Sequence, residues 1–329
     1  MNVPGWVWIA TIGGLLVLLA IDLVIVDRKP HEVTIGEAAR WVIFYVACAI
    51  IFGVGIWLFS GAEYSAQFFT GYITEYSLSI DNLFVFVIIM STFSVPRIHQ
   101  HKVLLIGIVL ALIMRGIFIA LGSAVIARFS WVFYLFGLFL IYTAWKLVKQ
   151  RNEEDEEFKE NAALRTVRRL LPVTDDYRGA RSFVREHGKL LVTPMFIVMV
   201  AIGTTDLLFA LDSIPAIFGL TKEPFLVFTA NAFALMGLRQ LYFLIGGLLD
   251  RLVYLSIGLA VILGFIGIKL ILEAMHDNHL SFLNDGEGLP VPTIGIELSL
   301  LVIVGVLALT TGASLLKVRR DPDAVRKPQ

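Results

Sequence analysis

The stretches Glu75-Tyr-Ser-Leu-Ser-Ile-Asp81-Asn82 and Asp206-Leu-Leu-Phe-Ala-Leu-Asp212-Ser213 decide how this chain is read. Each lies inside a long apolar run. Each sets an acid, five residues, a second acid and then a small polar residue in that order. An acid at bilayer depth costs about 2.5–3.5 kcal/mol on insertion scales, so such residues mark function by default. Two runs with the same internal spacing read as one motif used twice.

The composition around them sets the class. Hydrophobic residues make up 57% of the chain and charged residues 16%. Several apolar runs reach the roughly 20 residues that a helix needs to cross a bilayer, which predicts an all-α polytopic membrane protein in the cell membrane. The formal net charge is zero, and nothing points to a nucleic-acid partner. Cys48 is the single cysteine, so neither a disulfide framework nor a thiolate metal site can be built, and it reads as a small buried hydrophobe. The first run, residues 6–26, has no basic leader and no small-x-small cleavage site, and it reads as a retained span.

The hydropathy predicts nine spans, near 6–26, 40–59, 68–93, 103–127, 131–148, 191–218, 225–247, 252–273 and 294–316. Lys and Arg set the orientation. Arg28, Lys29 and Arg40, then Arg97 and Lys102, then the dense run from Lys149 to Lys189, then Lys317, Arg319, Arg320, Arg326 and Lys327 fall on one side if nine spans alternate. The other side holds Arg128 and Lys222. This predicts an N-terminus outside and a C-terminus in the cytoplasm.

The chain then divides into two N-terminal spans (1–60), a first three-span unit (68–148), a charged cytoplasmic segment (149–190), a second three-span unit (191–273), an outer loop (274–293), a last span (294–316) and a tail (317–329). Within 149–190, Glu153 to Glu157 followed by Arg165, Arg168 and Arg169 reads as a charged helix ending near Pro172. That helix presents a solvated face or meets anionic head groups.

The two three-span units share landmarks. Glu75-x5-Asp81 matches Asp206-x5-Asp212. Arg115-Gly-Ile-Phe-Ile-Ala-Leu-Gly122 matches Arg239-Gln-Leu-Tyr-Phe-Leu-Ile-Gly246, and Trp145-Lys146-Leu147 matches Ile268-Lys269-Leu270. With three spans each, the second unit crosses in the opposite sense. That is the inverted repeat of secondary transporters, whose sites lie near the midplane between the repeats. On this reading Glu75 comes level with Asp212, and Asp81 with Asp206.

Six residues turn a straight helix through about 600°, so the two acids of one helix point about 120° apart. A wide face or a local unwinding would let both reach one cavity. Pro215 supports the second option, because it leaves the Leu211 carbonyl without its usual donor. Glu75, Asp81, Asn82, Asp206, Asp212 and Ser213 then form an oxygen-only set, with Asp22, Thr205 and the Leu211 carbonyl as possible additions. Such a set suits a hard cation, Mn2+, Ca2+ or Mg2+. Arg115 and Arg239, also at bilayer depth, read as counter-ions or as structural locks. The histidines show no ligand spacing. His99 and His101 read as solvated in one turn, and His276 and His279 as solvated in the outer loop.

These residues resemble the TerC family of integral membrane proteins, named for tellurium resistance. The resemblance rests on Thr70-Gly-Tyr-Ile-Thr-Glu75-Tyr-Ser-Leu-Ser-Ile-Asp81-Asn-Leu-Phe-Val-Phe86 and Phe209-Ala-Leu-Asp212-Ser-Ile-Pro-Ala-Ile-Phe218. It is extended by Leu170-Leu-Pro-Val-Thr-Asp-Asp-Tyr177 and Gly237-Leu-Arg239-Gln-Leu-Tyr-Phe243. It implies a manganese exporter related to LysE-type exporters, or a link to metal supply for secreted or membrane-inserted proteins. It also implies metal-site roles for Glu75, Asp81, Asp206 and Asp212. One departure is Gly203, where many members carry an acid three residues before the position of Asp206. Tellurite is an oxyanion that a carboxylate-lined cavity repels, so any tellurium phenotype is indirect.

The sequence thus predicts a transporter and not an enzyme. Its cargo is a divalent cation, most of all Mn2+, and it carries no cofactor. No P-loop is present, so a gradient, of protons on the same carboxylates, would drive export. Two rivals stay open. One is a non-transporting partner in membrane-protein assembly or metal-stress resistance. The other is an intramembrane aspartyl hydrolase, which needs one close acid pair sharing a proton. The oligomeric state has no signal in the sequence.

Overall fold

The computed structural model describes residues 1, 3–27, 34–129, 131–150, 172–174, 176–179, 181–186, 189–245, 252–276 and 288–321. Its helices are α1 (Gly5–Asp27), α2 (Ile35–Ser60), α3 (Ala62–Thr92), α4 (Arg97–Arg128), α5 (Val132–Gln150), α6 (Pro194–Phe218), α7 (Pro224–Met236), α8 (Leu238–Ile245), α9 (Leu255–His276) and α10 (Ile296–Arg320). Seven of them, α2 to α6, α9 and α10, are long and apolar enough to cross a membrane. In α1 the qualifying apolar stretch, Gly5–Ile21, is shorter.

Three expectations change. The span placed at 225–247 is two helices, α7 and α8, parted at Gly237. Hydropathy could not show the break, because both halves are apolar. Glycine is the poorest helix former after proline, and Gly237 closes α7 as its cap. The span placed at 191–218 starts later, at Pro194. Before it the chain forms an antiparallel hairpin, β1 (Phe183–Glu186) with β2 (Lys189–Val192), and Val173 adds a parallel bridge to Val192. The charged helix expected in 149–190 falls mostly on 151–171, outside the described residues. The turn expected to hold His99 and His101 is instead the start of α4, which also carries Arg97 and Lys102.

This small sheet ties two helix ends together. The Tyr177 hydroxyl donates to the Phe93 carbonyl at 2.7 Å, at the C-cap of α3. Burial raises the Tyr177 pKa, which keeps the hydroxyl a donor. Thr193, the N-cap residue of α6, donates to the Arg181 carbonyl at 2.6 Å.

Large apolar side chains cover the outside, among them Ile51, Leu58, Phe59, Leu121, Leu301 and Leu309. An apolar skin of that extent belongs in lipid. Inside, α3 packs on α2, α6 and α7, α4 packs on α6 and α7, and α5 packs on α9. The α5–α9 contact is a close backbone approach. A Cβ added at Gly137 would stand 2.7 Å from the Gly267 carbonyl oxygen, and one added at Gly267 would stand 2.8 Å from that of Gly137. Small residues at such crossings let helices meet where no hydrophobic effect drives them together.

Candidate functional site

On α3, Glu75, Ser79 and Asn82 sit at i, i+4 and i+7 and share one face. On α6, Asp206 and Ser213 sit seven apart and share a face likewise. All five are buried. The first acid of each motif therefore shares a face with the small polar residue, and on α6 the second acid, Asp212, points elsewhere.

Arg115, from α4, is the hub of these two faces. Its Nη1 pairs with Glu75 Oε1, and its Nη2 lies 3.5 Å from Asp206 Oδ1. Nη1 also donates to Asn231 Oδ1 on α7 at 2.7 Å. Glu75 is 0% exposed, Arg115 1% and Asp206 2%. Several oxygens here have no hydrogen-bond partner among the described residues: Glu75 Oε2, Ser79 Oγ, Asp206 Oδ2 and Ser213 Oγ. A buried polar atom left this way costs roughly 1–3 kcal/mol, so a set of them on two facing helices marks a place meant for a ligand or water. Two carboxylates against one guanidinium give the group a formal charge of −1.

The structure brings together fewer of the expected residues than the sequence suggested. Glu75, Asp206 and Arg115 meet, with Asn82 and Ser213 buried on the same helix faces. Asp212 is half-buried and turns to α5, where Thr143 Oγ1 donates to its Oδ1 at 3.2 Å and Lys146 lies within electrostatic reach. The depth argument had set Glu75 level with Asp212, but Glu75 joins Asp206 instead. Side-chain direction decides which acids meet, and α6 runs on as a helix through Pro215, so no unwinding swings Asp212 round. Thr205 is buried, while the Leu211 side chain is exposed. The side chains of Asp81 and Asp22 lie outside the described residues. Among the described residues, no three His, Cys, Asp or Glu side chains converge to hold a metal ion.

Arg239 is as buried as Arg115 but stands elsewhere. Its Nη1 lies 3.2 Å from His101 Nε2 in α4, fourteen residues before Arg115. His101 was expected in a solvated turn, but it lies within the helix against this arginine. Gly203 faces α4, where an added Cβ would meet Leu110. Sequence reasoning missed Asn231 and Ser79. An Asn at the eighth position of an apolar half-helix and a Ser four residues after an acid were the signals available.

At the end of the bundle where α3 begins and α6 and α9 finish lies a cavity of about 380 Å³. Its lining includes Glu63, Gln67, Lys222, Glu223, Lys269 and Glu273. Lys222 pairs with Glu273 at 2.8 Å, Thr221 donates to Gln67 at 2.6 Å, and the Met1 ammonium pairs with Glu223.

An apolar multi-helix body holding buried charge among its helices defines an integral, multi-pass membrane protein. The chain belongs to the integral membrane protein TerC family, which matches residues 60–322. An uncharacterized membrane protein of Mycobacterium tuberculosis is 48% identical over 322 residues, 97% of this chain and 81% of that protein. A protein of Escherichia coli named putative membrane-bound redox modulator Alx is 37% identical over 303 residues, 89% of each. The chloroplastic thylakoid membrane protein TERC of Arabidopsis thaliana is 43% identical over 243 residues, 74% of this chain and 63% of that one. No solved structure matches.

Proposed function

We propose that this chain exports a divalent cation, Mn2+ foremost, from the cytoplasm, with protons as the coupling ion. The observation that carries the reading is the buried Glu75–Arg115–Asp206 group. A net negative charge held away from water needs a mobile cation or a proton to neutralise it. The free oxygens around it are hard donors, which favour Mn2+, Mg2+ or Ca2+ over soft metals. Arg115 acts as the resident counter-ion of the empty carrier. An arriving divalent cation takes over Glu75 and Asp206, with Asp81, Asn82, Asp212 and Ser213 as further ligands along the route.

The helix packing supports an inverted repeat. Exchanging α3 with α6, α4 with α7 and α5 with α9 turns the α3–α7 contact into the α6–α4 contact, and maps α5–α9 onto itself. Both are present. With the basic residues cytoplasmic, the charged cavity becomes the outer mouth. The rivals fit less well. A membrane-assembly partner needs no buried charge. A hydrolase needs two carboxylates sharing a proton, and here a guanidinium stands between them. The Alx relatives are named for redox, but Cys48 is the only thiol in this chain.

Purified protein in liposomes is expected to move Mn2+ saturably along an imposed proton gradient, with Ca2+ and Mg2+ as weaker competitors. If no divalent cation moves, the transport reading fails. In a Cys48→Ala background, an impermeant thiol reagent applied outside cells should label Asn284→Cys and miss Glu160→Cys. The reverse pattern would invert the orientation.

A further inference from the structure

Asn231 is a neutral side chain placed where a guanidinium must be kept. It is 1% exposed, and its Nδ2 donates to the Val227 carbonyl at 3.1 Å, one turn back on α7. That bond commits the amide end, so the carbonyl end, Oδ1, faces Arg115 and accepts from Nη1 at 2.7 Å. Arg115 therefore touches three acceptors that differ in kind: Glu75 and Asp206 are charged, and Asn231 is not.

We infer that Asn231 is the holding position for Arg115 while cargo occupies Glu75 and Asp206. The inference deepens the export reading and rests on it. A divalent cation between the two carboxylates repels the guanidinium and competes for the same oxygens. A buried arginine with no acceptor at all would block that exchange, because the desolvated charge costs too much. Asn231 offers one short bond that survives the exchange. It is also weak enough to release the arginine afterwards, since bonds from a charged donor are stronger to a carboxylate than to an amide. Asn231 is thus a positioning residue. It sets the competition between guanidinium and cargo without contacting the cargo itself.

The chemistry requires opposite effects from two near-isosteric changes. Asn231→Asp holds Arg115 more firmly away from Glu75 and Asp206. Mn2+ should bind about tenfold tighter and turn over several-fold more slowly. Asn231→Leu removes the holding position. Arg115 then stays on the carboxylates, and Mn2+ should bind about tenfold more weakly. Mn2+ affinity is read by titration calorimetry on detergent-purified protein, and KM and kcat by liposome flux. In an Arg115→Gln background, Asn231→Leu should lose its effect on affinity, because the native residue acts only through that guanidinium, whereas Asn231→Asp keeps the part its own added charge contributes. Affinity shifts of the same sign in both variants would overturn the inference. So would unchanged affinity with lowered yield, or a shift in Asn231→Leu that persists without Arg115. Those results need wild-type protein that binds and moves Mn2+, whereas wild-type protein that moves no divalent cation defeats the export reading itself.

Discussion

Arg115→Gln is expected to lower the thermal midpoint of the purified protein sharply, and millimolar Mn2+ is expected to restore most of the loss. Glu75, Asp206 and Arg115 are all nearly inaccessible to solvent. Breaking a buried pair by removing one partner commonly costs about 3–5 kcal/mol, because the remaining charge stays buried alone. Here the loss is doubled in kind, since one arginine serves two carboxylates. A divalent cation can replace it. A ligand at a hundred times its Kd stabilises by about 2.7 kcal/mol, and the variant should bind Mn2+ more tightly than wild type does. Thermal melts with and without Mn2+ decide the matter. A melt that falls and ignores Mn2+ would make Arg115 a structural lock only. A midpoint unchanged under both conditions would remove it from the site.

Glu75→Gln and Asp206→Asn are expected to abolish Mn2+ transport while leaving folded protein in the membrane. Each leaves Arg115 with one carboxylate, so the group becomes neutral and loses its attraction for a cation. One unit charge at 4 Å contributes about 4 kcal/mol at an effective dielectric near 20. That corresponds to more than a hundredfold in affinity. Asp81→Asn and Asp212→Asn test the second acids in the same assay. Asp212→Asn should fold, because an amide oxygen can still accept from Thr143. Wild-type flux in Glu75→Gln and Asp206→Asn would move the site away from these helices.

The spans were legible because apolar length is a strong signal: α2 to α6, α9 and α10 all fall where hydropathy sets them. The break at Gly237 was not, since a glycine inside an apolar run reads the same whether the helix continues or stops. The hairpin before α6 was hidden because Lys189–Val192 runs straight into apolar sequence. Within the site, Glu75, Asp206 and Arg115 were legible as charges at bilayer depth. Their grouping was not. Spacing along one helix gives direction around its axis, but which directions meet depends on how α3, α4, α6 and α7 are packed. Asn231 escaped notice for that reason: an uncharged amide gains meaning only from the arginine that packing brings to it.

Glu75 and Arg115 leave the ribosome well before Asp206 and Asn231, and the two halves of the group are made in that order. At about 5–20 residues per second, Arg115 is synthesised roughly 5–18 s before Asp206. In that interval the first half can close its own acid–base pair between Glu75 and Arg115. The second half brings an acid and a neutral amide to a guanidinium already in place. Made in the opposite order, Asp206 would enter the bilayer before Arg115, the base it meets in the folded chain. An N-terminal half expressed alone should therefore insert and persist, and a C-terminal half expressed alone should be cleared unless the first half is present.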